Sequence, residues 1–505
     1  MLPKGAQRER VLKVVHDLSQ DEVHRVSRET GVPAADVYGA ASFYSLISNP
    51  EAGVRVCQGL SCRMAGSEAL FESYQERGEK ASYASCIGQC DRAPAALSPS
   101  PKLEVLSEAP ASSVSPDDPE LPMNLGGQDS LDYAALAKSR ELGVEGVLSA
   151  LDASGLQGRG GAGFPAGRKW RAVMSESASE RYVVCNADEA EPGTFKDREV
   201  MLRRPHLLLE GLAICAETIG STEIYLYIRG EFQGPIQRLK AALAEVADGP
   251  LVGLNYHFVE GHGAYICGEE TALLEAMEGR RGMPRLKPPY PTQEGFRGKP
   301  TVINNVETLA CVPAIVSRGG EWFKALGKTE PGSKLYCISG DVGRPGVYEL
   351  PLGVSLDELV EVAGGYVGEP VAFSPGGASA GFLPISERER PLDFASLSEV
   401  GSMLGSAGVV VIKEGFDLAE AACSQAIFFE DESCGQCAPC RIGTRLVHQA
   451  LKRYLDSRDP EALQHIEDLA WEMEEGSICG LGMVAALPLT SAIKHFPQAF
   501  SGGQA

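Results

Sequence analysis

The chain of 505 residues is too long for one hydrophobic core, and 44% hydrophobic with 23% charged residues is typical of a protein with several soluble domains. Its net charge of −22 argues against nucleic acid and anionic membranes as partners, because both require a basic surface. The first twenty residues lack the apolar segment of a signal peptide, and no apolar run is long enough to span a bilayer. We therefore expect a cytoplasmic protein without membrane insertion, and the presence of 14 cysteines in such a chain favours metal binding over disulfides.

The first segment, residues 1–50, is expected to be helical, because apolar residues such as Val11, Val14 and Leu18 recur at helical spacing. Residues 26–33 could belong to a helix-turn-helix, which leaves a DNA-binding or scaffold protein as an alternative, although the third helix lacks basic residues. A short strand, 54–56, leads into Cys57. Residues 109–125 are rich in Pro and Ser and predict a linker.

The second half of the chain has two patterns. Strand-like runs at 181–185 and 223–228, the second followed by a helical run at 235–246, indicate an α/β domain. From residue 331 to 395 the order strand, turn, strand, helix predicts a small α+β domain, and the remaining tail is mainly helical.

Four cysteines near the C-terminus form the sharpest motif. Cys434, Cys437 and Cys440 form two consecutive C-x-x-C steps, and Cys479 is the distant fourth cysteine. Three thiolates on one tight loop plus a distant fourth are typical of a [4Fe–4S] cluster. Zinc is the alternative, but its sites usually consist of two separated C-x-x-C pairs.

A second set of four cysteines lies near the N-terminus: Cys57, Cys62, Cys86 and Cys90. A C-x4-C and a C-x3-C pair can ligate a [2Fe–2S] cluster, one pair for each iron. Structural zinc, or cysteines packed as small hydrophobic residues, remain the alternatives.

A glycine-rich stretch, residues 158–170, contains G-x-G-x-x-G at Gly158, Gly160 and Gly163. Backbone N–H groups of such a loop can approach a phosphate closely, and Lys169 adds positive charge. No convincing strand precedes it, so it could also be an ordinary surface loop. Two acidic turns, 186–193 and 263–271, could hydrogen-bond flavin and ribose hydroxyls, hold a divalent metal, or be solvated charge.

Together these motifs, with segments 284–289 and 302–308, resemble the NADH-binding flavoprotein subunit of respiratory complex I over residues 130–500. Residues 6–95 resemble the thioredoxin-like [2Fe–2S] subunit of that complex. Similar fusions serve as diaphorase subunits of NAD-dependent formate dehydrogenases and NAD-reducing hydrogenases.

The resemblance implies a multidomain α/β and α+β fold. Its expected parts are an N-terminal helical segment (1–50), a thioredoxin-like [2Fe–2S] ferredoxin domain (51–108), a linker (109–125), a Rossmann-like FMN/NADH-binding α/β domain (126–330), a ubiquitin-like β-grasp domain of the soluble-ligand-binding type (331–395) and a C-terminal helical [4Fe–4S] bundle (396–505).

It also implies the cofactor-binding residues. Those for FMN are Gly158, Arg159, Gly160, Gly161, Lys169, Asn186, Asp188, Glu189, Gly268, Glu269, Asn304, Asn305 and Thr308, and those for NADH are Phe164, Glu191, Glu270, Lys287 and Tyr290. Hydride would pass between the two cofactors, so no side chain is expected to act as a catalytic acid or base.

Three positions depart from the family pattern. Tyr290 replaces the usual Phe and retains the stacking face, whereas Ala172 replaces an aromatic residue near the nicotinamide. Only 23 residues separate Cys62 from Cys86, fewer than is usual in the thioredoxin-like protein, so a strand or hairpin of that domain could be missing.

The expected function is therefore that of an NAD(H) diaphorase subunit. Its expected partners are a small iron–sulfur subunit and a catalytic subunit. The first candidate for the catalytic subunit is a molybdenum or tungsten formate dehydrogenase, and the second is a nickel hydrogenase. An electron-bifurcating NADH/ferredoxin oxidoreductase is an alternative, although the sequence lacks the additional ferredoxin-type cysteines that some such proteins carry.

Overall fold

A computed structural model describes residues 7–502 of the chain. Short helices come first: α1 (Val11–Val14), α2 (Gln20–Thr30), α3 (Ala34–Ala41) and α4 (Ser45–Ser48). The predicted helical character is confirmed for the described part of this segment. These helices pack against the central domain, where the Tyr44 hydroxyl donates to the Arg280 carbonyl at 2.6 Å and Ser45 N–H donates to the Gly263 carbonyl at 3.1 Å.

The thioredoxin-like domain is a four-stranded sheet in the order β2-β1-β3-β4. Its elements are β1 (Val54–Cys57), α5 (Leu60–Met64), α6 (Ser67–Glu76), β2 (Ala81–Ala84), β3 (Ala96–Leu97) and β4 (Val105–Leu106). β1 is parallel to β2 and antiparallel to β3. The short stretch between Cys62 and Cys86 therefore contains the end of α5, helix α6 and strand β2.

The Pro- and Ser-rich segment is part of the folded structure. Its strand β5 (Ser113–Val114) pairs in parallel with β11 (Gly346–Pro351) of the β-grasp domain. Glu349 N–H donates to the Ser115 hydroxyl at 2.7 Å, and the Ser112 hydroxyl donates to Asp91 of the thioredoxin-like domain. The linker thus ties the first domain to the β-grasp sheet.

The central domain contains a parallel sheet in the order β8-β7-β6-β9. Its strands are β6 (Tyr182–Ala187), β7 (Glu223–Ile228), β8 (Asn255–Glu260) and β9 (Thr301–Asn305), and its helices are α7 (Ala134–Ser154), α8 (Ala166–Ser175), α9 (Lys196–Arg203), α10 (Pro205–Ile219), α11 (Gln233–Glu245), α12 (Glu270–Met277), α13 (Pro291–Glu294), α14 (Val306–Arg318) and α15 (Gly320–Ala325). The predicted strands at 181–185 and 223–228 and the helix after the second are confirmed.

Side chains alternate between the two faces of this parallel sheet, and each face packs against a different hydrophobic cluster. Val183, Cys185 and Leu226 pack into the core formed by the domain's own helices. Val184 and Tyr227 point to the opposite face and join the cluster that includes the N-terminal helices. The sheet is thereby covered on one side by the N-terminal segment.

The β-grasp domain forms a sheet in the order β13-β12-β14-β10-β11-β5. Its further elements are β10 (Ser333–Gly340), α16 (Leu356–Val362), β12 (Pro370–Ser374), β13 (Leu383–Pro384), α17 (Phe394–Ser398) and β14 (Gly408–Lys413). β14 lies between β12 and β10. The sheet therefore extends past residue 395, the boundary expected from the sequence, because its central strand comes last in the chain.

The C-terminal part is helical, as expected: α18 (Leu418–Glu432), α19 (Ala438–Ser457), α20 (Ile466–Gly476), α21 (Gly480–Val484) and α22 (Leu487–His495). Cys437 is the N-cap residue of α19, and Cys479 is that of α21. Among residues 7–502, no helix is both long and apolar enough to cross a membrane.

Candidate cofactor and electron-transfer sites

The central site lies at the carboxyl ends of two neighbouring parallel strands, where open α/β sheets commonly bind ligands. Asn186 at the end of β6 is paired in register with Asn305 at the end of β9. The Asn186 side chain donates to the Gly268 carbonyl at 2.7 Å, and Asn305 donates to the Asp197 carboxylate at 2.6 Å. The two amides therefore form the floor of the site.

Two adjoining cavities open above this floor, with volumes of about 110 and 370 Å³. They share Gly160, Ala162, Asn186, Gly268 and Asn305 in their walls. The smaller cavity is also lined by Gly158, Phe164, Lys169, Glu270, Asn304 and Thr308, and the larger one by Gly161, Asp188, Glu189, Glu191, Glu269 and Cys479. The structure thus brings most of the residues expected for FMN and NADH into one cleft.

The glycine-rich loop joins α7 to α8 and forms one wall of the cleft. A Cβ atom at Gly160 would lie 3.1 Å from the Asn305 Cβ, so a side chain there would crowd the floor. Gly161 and Gly163 have φ angles of 126° and 64°, which favour glycine. The backbone therefore approaches the cavity closely, as phosphate binding requires.

Arg159, in the glycine-rich loop, turns its side chain away from the cleft. Its side chain is fully buried and donates to the Pro331 carbonyl at 3.1 Å, whereas its backbone N–H donates to the Thr308 hydroxyl at 2.8 Å. The guanidinium lines neither cavity. Arg159 supports the loop from behind instead of reaching the cleft.

The first acidic turn contains three carboxylates in different settings. Glu189 accepts the N–H groups of Asp197 and Arg198 at 2.8 and 3.0 Å at the start of α9, and burial together with Asp197 raises its pKa to about 7. Glu191 accepts from the Tyr265 hydroxyl at 2.5 Å, and burial raises its pKa. Asp188 has one buried oxygen without a hydrogen-bond partner in the described structure, and burial raises its pKa well above the usual value.

In the second acidic turn, the adjacent residues Glu269 and Glu270 bind different partners. Glu269 is the N-cap of α12, and its carboxylate accepts the N–H groups of Thr271 and Ala272, both at 2.9 Å. Its other oxygen accepts from the Lys287 ammonium at 2.8 Å. Glu270 forms an ion pair with Lys169, which also donates to the Ile303 carbonyl at 2.9 Å.

Of the remaining predicted residues, Asn304 and Phe164 line the smaller cavity, whereas Tyr290 lines neither cavity. Asn304 is buried and accepts from the Trp170 indole at 2.8 Å, which fixes its amide. Phe164 and Tyr290 are the aromatic residues expected to stack with NADH, and they are 47% and 54% exposed. A large exposed aromatic ring in the wall of a polar cavity, such as that of Phe164, suits the stacking of a planar ligand.

The four N-terminal cysteines form one buried group. Cys86 and Cys90 have their sulfur atoms 3.7 Å apart, and Cys57 lies beside both Cys62 and Cys86. Gly193 of the central domain donates its N–H to the Cys90 sulfur at 3.3 Å. A chain of neighbouring sulfurs with an N–H···S bond suits a cluster whose ligands bind different irons.

The C-terminal cysteines also lie near one another, at the start of α19 and α21. Cys440 and Cys479 are buried, and Cys434 and Cys437 are partly exposed. Burial raises the pKa of Cys479 to about 11, although the N–H groups of Gly482 and Leu481 oppose this effect. Cys479 lines the larger cavity, so this cysteine group borders the flavin cleft directly.

These observations fit the expected cofactors. The cleft offers close-approaching glycine backbone, fixed amides and a partnerless Asp188 oxygen, which suit a phosphorylated flavin with a polyol chain. The two cysteine groups are the donor sets that multi-iron clusters use.

Sequence reasoning missed several residues around the site. Lys196 is buried in the wall of the larger cavity and pairs with Asp197 at 2.8 Å and with Glu307 at 3.0 Å. The Tyr265 hydroxyl and the Ser379 N–H both donate to the Glu191 carboxylate, and Ser379 lies in the β-grasp domain. No local pattern marks the contacts with Glu307 and Glu191, because these partners lie far apart in the sequence.

Four family models match consecutive parts of the chain. They describe a thioredoxin-like [2Fe–2S] ferredoxin (6–109), the Nuo51 FMN-binding domain (151–314), an SLBB domain (335–383) and the NADH-ubiquinone oxidoreductase-F iron–sulfur binding region (420–502). The N-terminal helices fall within the ferredoxin-type match, which does not support the DNA-binding or scaffold alternative.

Named relatives and solved structures agree with these matches. The second F-type subunit of NADH-quinone oxidoreductase from Rhizobium meliloti is 48% identical over 384 residues, which cover 73% of this chain and 91% of the relative. The F-type subunit of the same enzyme from Aquifex aeolicus is 42% identical over 381 residues, covering 72% and 88%. A chain of the NAD⁺-reducing [NiFe]-hydrogenase in the air-oxidised state superposes with a TM-score of 0.89 and 31% identity, covering 99% of this chain and 94% of the other.

The fold and site define an iron–sulfur flavoprotein that binds FMN, NAD(H), one [2Fe–2S] and one [4Fe–4S] group. The chain belongs to the family of the NADH-binding flavoprotein subunit of complex I, which includes the F-type subunits of NADH-quinone oxidoreductase, and it carries the thioredoxin-like [2Fe–2S] domain in the same chain. It is an NADH dehydrogenase, or diaphorase, component of a multisubunit redox enzyme.

Proposed function

We propose that this chain exchanges electrons between NAD(H) and a separate catalytic subunit that oxidises formate or hydrogen. The observation that carries the proposal is the fused architecture: the match to the hydrogenase chain covers 99% of this protein, whereas the matches to the Rhizobium and Aquifex relatives cover 73% and 72% of it. The fused chain also resembles the diaphorase subunits of NAD-dependent formate dehydrogenases, which we propose as the first candidate. The hydrogenase is the second candidate, favoured by the superposition.

The flavin, when bound, supplies the chemistry that links two-electron exchange with a nicotinamide to one-electron exchange with iron–sulfur groups. The protein's part is to bind and orient. We propose that Lys169 and the glycine-rich loop hold the FMN end of the cleft, and that Asn186, Asp188 and Asn305 fix the flavin by hydrogen bonds. Fixed amides cost no reorganisation at the time of reaction.

The NADH end of the cleft is proposed to use different residues. Phe164 and Tyr290 would stack on the planar rings, and their exposure leaves room for a ligand to enter. Glu191, Glu270 and Lys287 would bind the ribose hydroxyls and the pyrophosphate. Cys479 borders the larger cavity, so we propose that electrons leave the cleft towards Cys434, Cys437, Cys440 and Cys479.

The purified chain tests the cofactor content and the diaphorase activity, and its native complex tests the identity of the partner subunit. It should contain one FMN and about six irons, as one [2Fe–2S] and one [4Fe–4S] group require, and should reduce an artificial one-electron acceptor with NADH. It should oxidise neither formate nor hydrogen alone. Native mass spectrometry of the complex should find a molybdenum or tungsten subunit; a nickel subunit selects the second candidate, and a complex with neither refutes both.

A further inference from the structure

The cysteine loop 86–90 is held by two buried arginines of the central domain. Arg229 follows β7 and is 4% exposed. Its Nη2 donates to the Cys86 carbonyl at 2.6 Å, and its Nη1 donates to the Glu189 carbonyl at 2.7 Å. One guanidinium therefore joins the cysteine loop to the acidic turn that lines the flavin cleft.

Arg198 in α9 also donates hydrogen bonds to the 86–90 loop. It is 2% exposed, and its Nη1 donates to the Gly88 carbonyl and to the Gln89 side chain, both at 2.7 Å. Its Nη2 donates to the Asp91 carboxylate at 2.8 Å. A Cβ at Gly88 would lie 2.8 Å from the Phe232 ring of the central domain, so the loop has little room to move.

The thioredoxin-like domain thus supplies the cysteines, while the central domain supplies much of their polar environment. Gly193 N–H adds a hydrogen bond to the Cys90 sulfur at 3.3 Å. Hydrogen bonds to the sulfurs and nearby charge are among the factors that set the reduction potential of an iron–sulfur cluster. A buried cation stabilises an added electron more strongly than an exposed one, because the local dielectric is low.

We propose that Arg229, together with Arg198, is a positioning residue that raises the reduction potential of the [2Fe–2S] group and holds its 86–90 loop against the flavin domain. The inference rests on the proposed ligand role of Cys86 and Cys90. Arg229 and Glu231 form an ion pair beside the loop, because the Nη2 that donates to the Cys86 carbonyl also donates to Glu231 at 2.9 Å, and Nε donates to Glu231 at 3.2 Å. Neutralising one member of this pair should therefore shift the potential in the opposite direction to neutralising the other.

The test is an EPR-monitored redox titration of the full chain with its cofactors. In Arg229→Gln, which removes the charge, the reduced-to-oxidised ratio of the [2Fe–2S] signal at a fixed potential should fall at least tenfold, equivalent to about 59 mV for a one-electron couple. Arg229→Lys keeps the charge and should retain most of the wild-type value. Glu231→Gln, which removes the opposing charge, should raise the ratio several-fold.

Arg140→Gln is the matched control, since Arg140 pairs with Glu217 on the exposed side of the same domain at 2.6 Å. It removes the same charge and should leave the midpoint unchanged, because solvent screens it. Arg198→Gln should lower the midpoint in the same direction as Arg229→Gln, and Arg198→Lys should restore most of it.

The outcomes separate the inference from the function on which it rests. Unmoved midpoints in both Arg229→Gln and Glu231→Gln, with normal iron content, overturn the inference alone. Equal shifts in Arg229→Lys and Arg229→Gln would show that charge is not the cause and also overturn it. A wild-type [2Fe–2S] signal that survives Cys86→Ser refutes the ligand assignment, and the inference with it. If Arg229→Gln loses iron, the midpoint potential of Glu231→Gln still tests the inference.

Discussion

Lys169 and Glu270 form an ion pair inside the smaller of the two cavities of the cleft. The pair joins the helix after the glycine-rich loop to the start of α12, across 101 residues of sequence. Because Glu269 is the residue that caps α12, the Glu270 carboxylate is not needed for the helix end. The Glu270 carboxylate therefore has no capping role and can interact with a nucleotide bound in this cavity.

The first prediction concerns the choice between NADH and NADPH. If Glu270 faces the adenine ribose, a 2′-phosphate would meet a negative charge in a partly desolvated site, and like-charge contacts of this kind cost several kcal/mol. Glu270→Gln should raise kcat/KM for NADPH by about a hundredfold or more, since each 1.4 kcal/mol is a factor of ten, and change that for NADH little. Steady-state kinetics with both cofactors measures this.

A surface variant controls for the general loss of charge. Glu294→Gln removes a carboxylate from an exposed position in the same domain and should alter neither cofactor's kinetics. An equal loss with NADH and NADPH in Glu270→Gln would contradict the ribose assignment and indicate a structural role.

The second prediction concerns the start of α12. Glu269→Ala removes the acceptor of two N–H groups and the partner of Lys287, so it should lower the free energy of unfolding by about 1–2 kcal/mol. Glu269→Ser retains a capping oxygen and should recover about half of the loss. Thermal unfolding of the cofactor-free chain measures both, and equal stability of the two variants would show that the cap is unimportant.

The third prediction separates the two cysteine groups. Cys86→Ser should remove about two irons, and Cys440→Ser about four, as the respective cluster types require. Each change should leave the EPR signal of the other group intact. Cys423→Ser is the matched control, because Cys423 is buried in α18 and belongs to neither group; iron loss in this variant would mean that serine substitution damages the fold.

The fourth prediction concerns the pH dependence of stability. Glu349 is 2% exposed, and burial raises its pKa from 4.5 to about 7. A raised carboxyl pKa favours the folded state below pH 4.5, and this contribution is lost as the pH rises through about 7. The loss of free energy of unfolding is on the order of 3 kcal/mol, because each pKa unit corresponds to about 1.36 kcal/mol.

Glu349→Gln cannot ionise, so its Tm should change less than that of the wild type between about pH 5 and pH 8, the range that brackets the raised pKa. Differential scanning fluorimetry across this range measures the difference. Glu361→Gln, at an exposed position in the same domain, should follow the wild-type curve. Parallel curves for Glu349→Gln and the wild type would show that Glu349 does not titrate in this range.

The sequence alone was sufficient for the family, the cofactor types and the two cysteine groups. C-x-x-C spacing and the glycine-rich loop encode their chemistry within a few residues, so local patterns could identify them. Strands such as β6 and β7 were also predictable, because a continuous apolar run marks a buried parallel strand. The resemblance placed Asn186 and Asn305 in one site, and their register in β6 and β9 brings them together.

Other features were decided only by tertiary structure. The sequence could not show that Arg198 and Arg229 reach the cysteine loop, that β14 completes the sheet that contains β10, or that Glu269 rather than Glu270 caps α12. Arg159 likewise belongs to a glycine-rich motif, yet its side chain points into the core. Local spacing reports periodicity and ligand type, whereas the partner of a buried charge depends on which distant segments pack together to satisfy it.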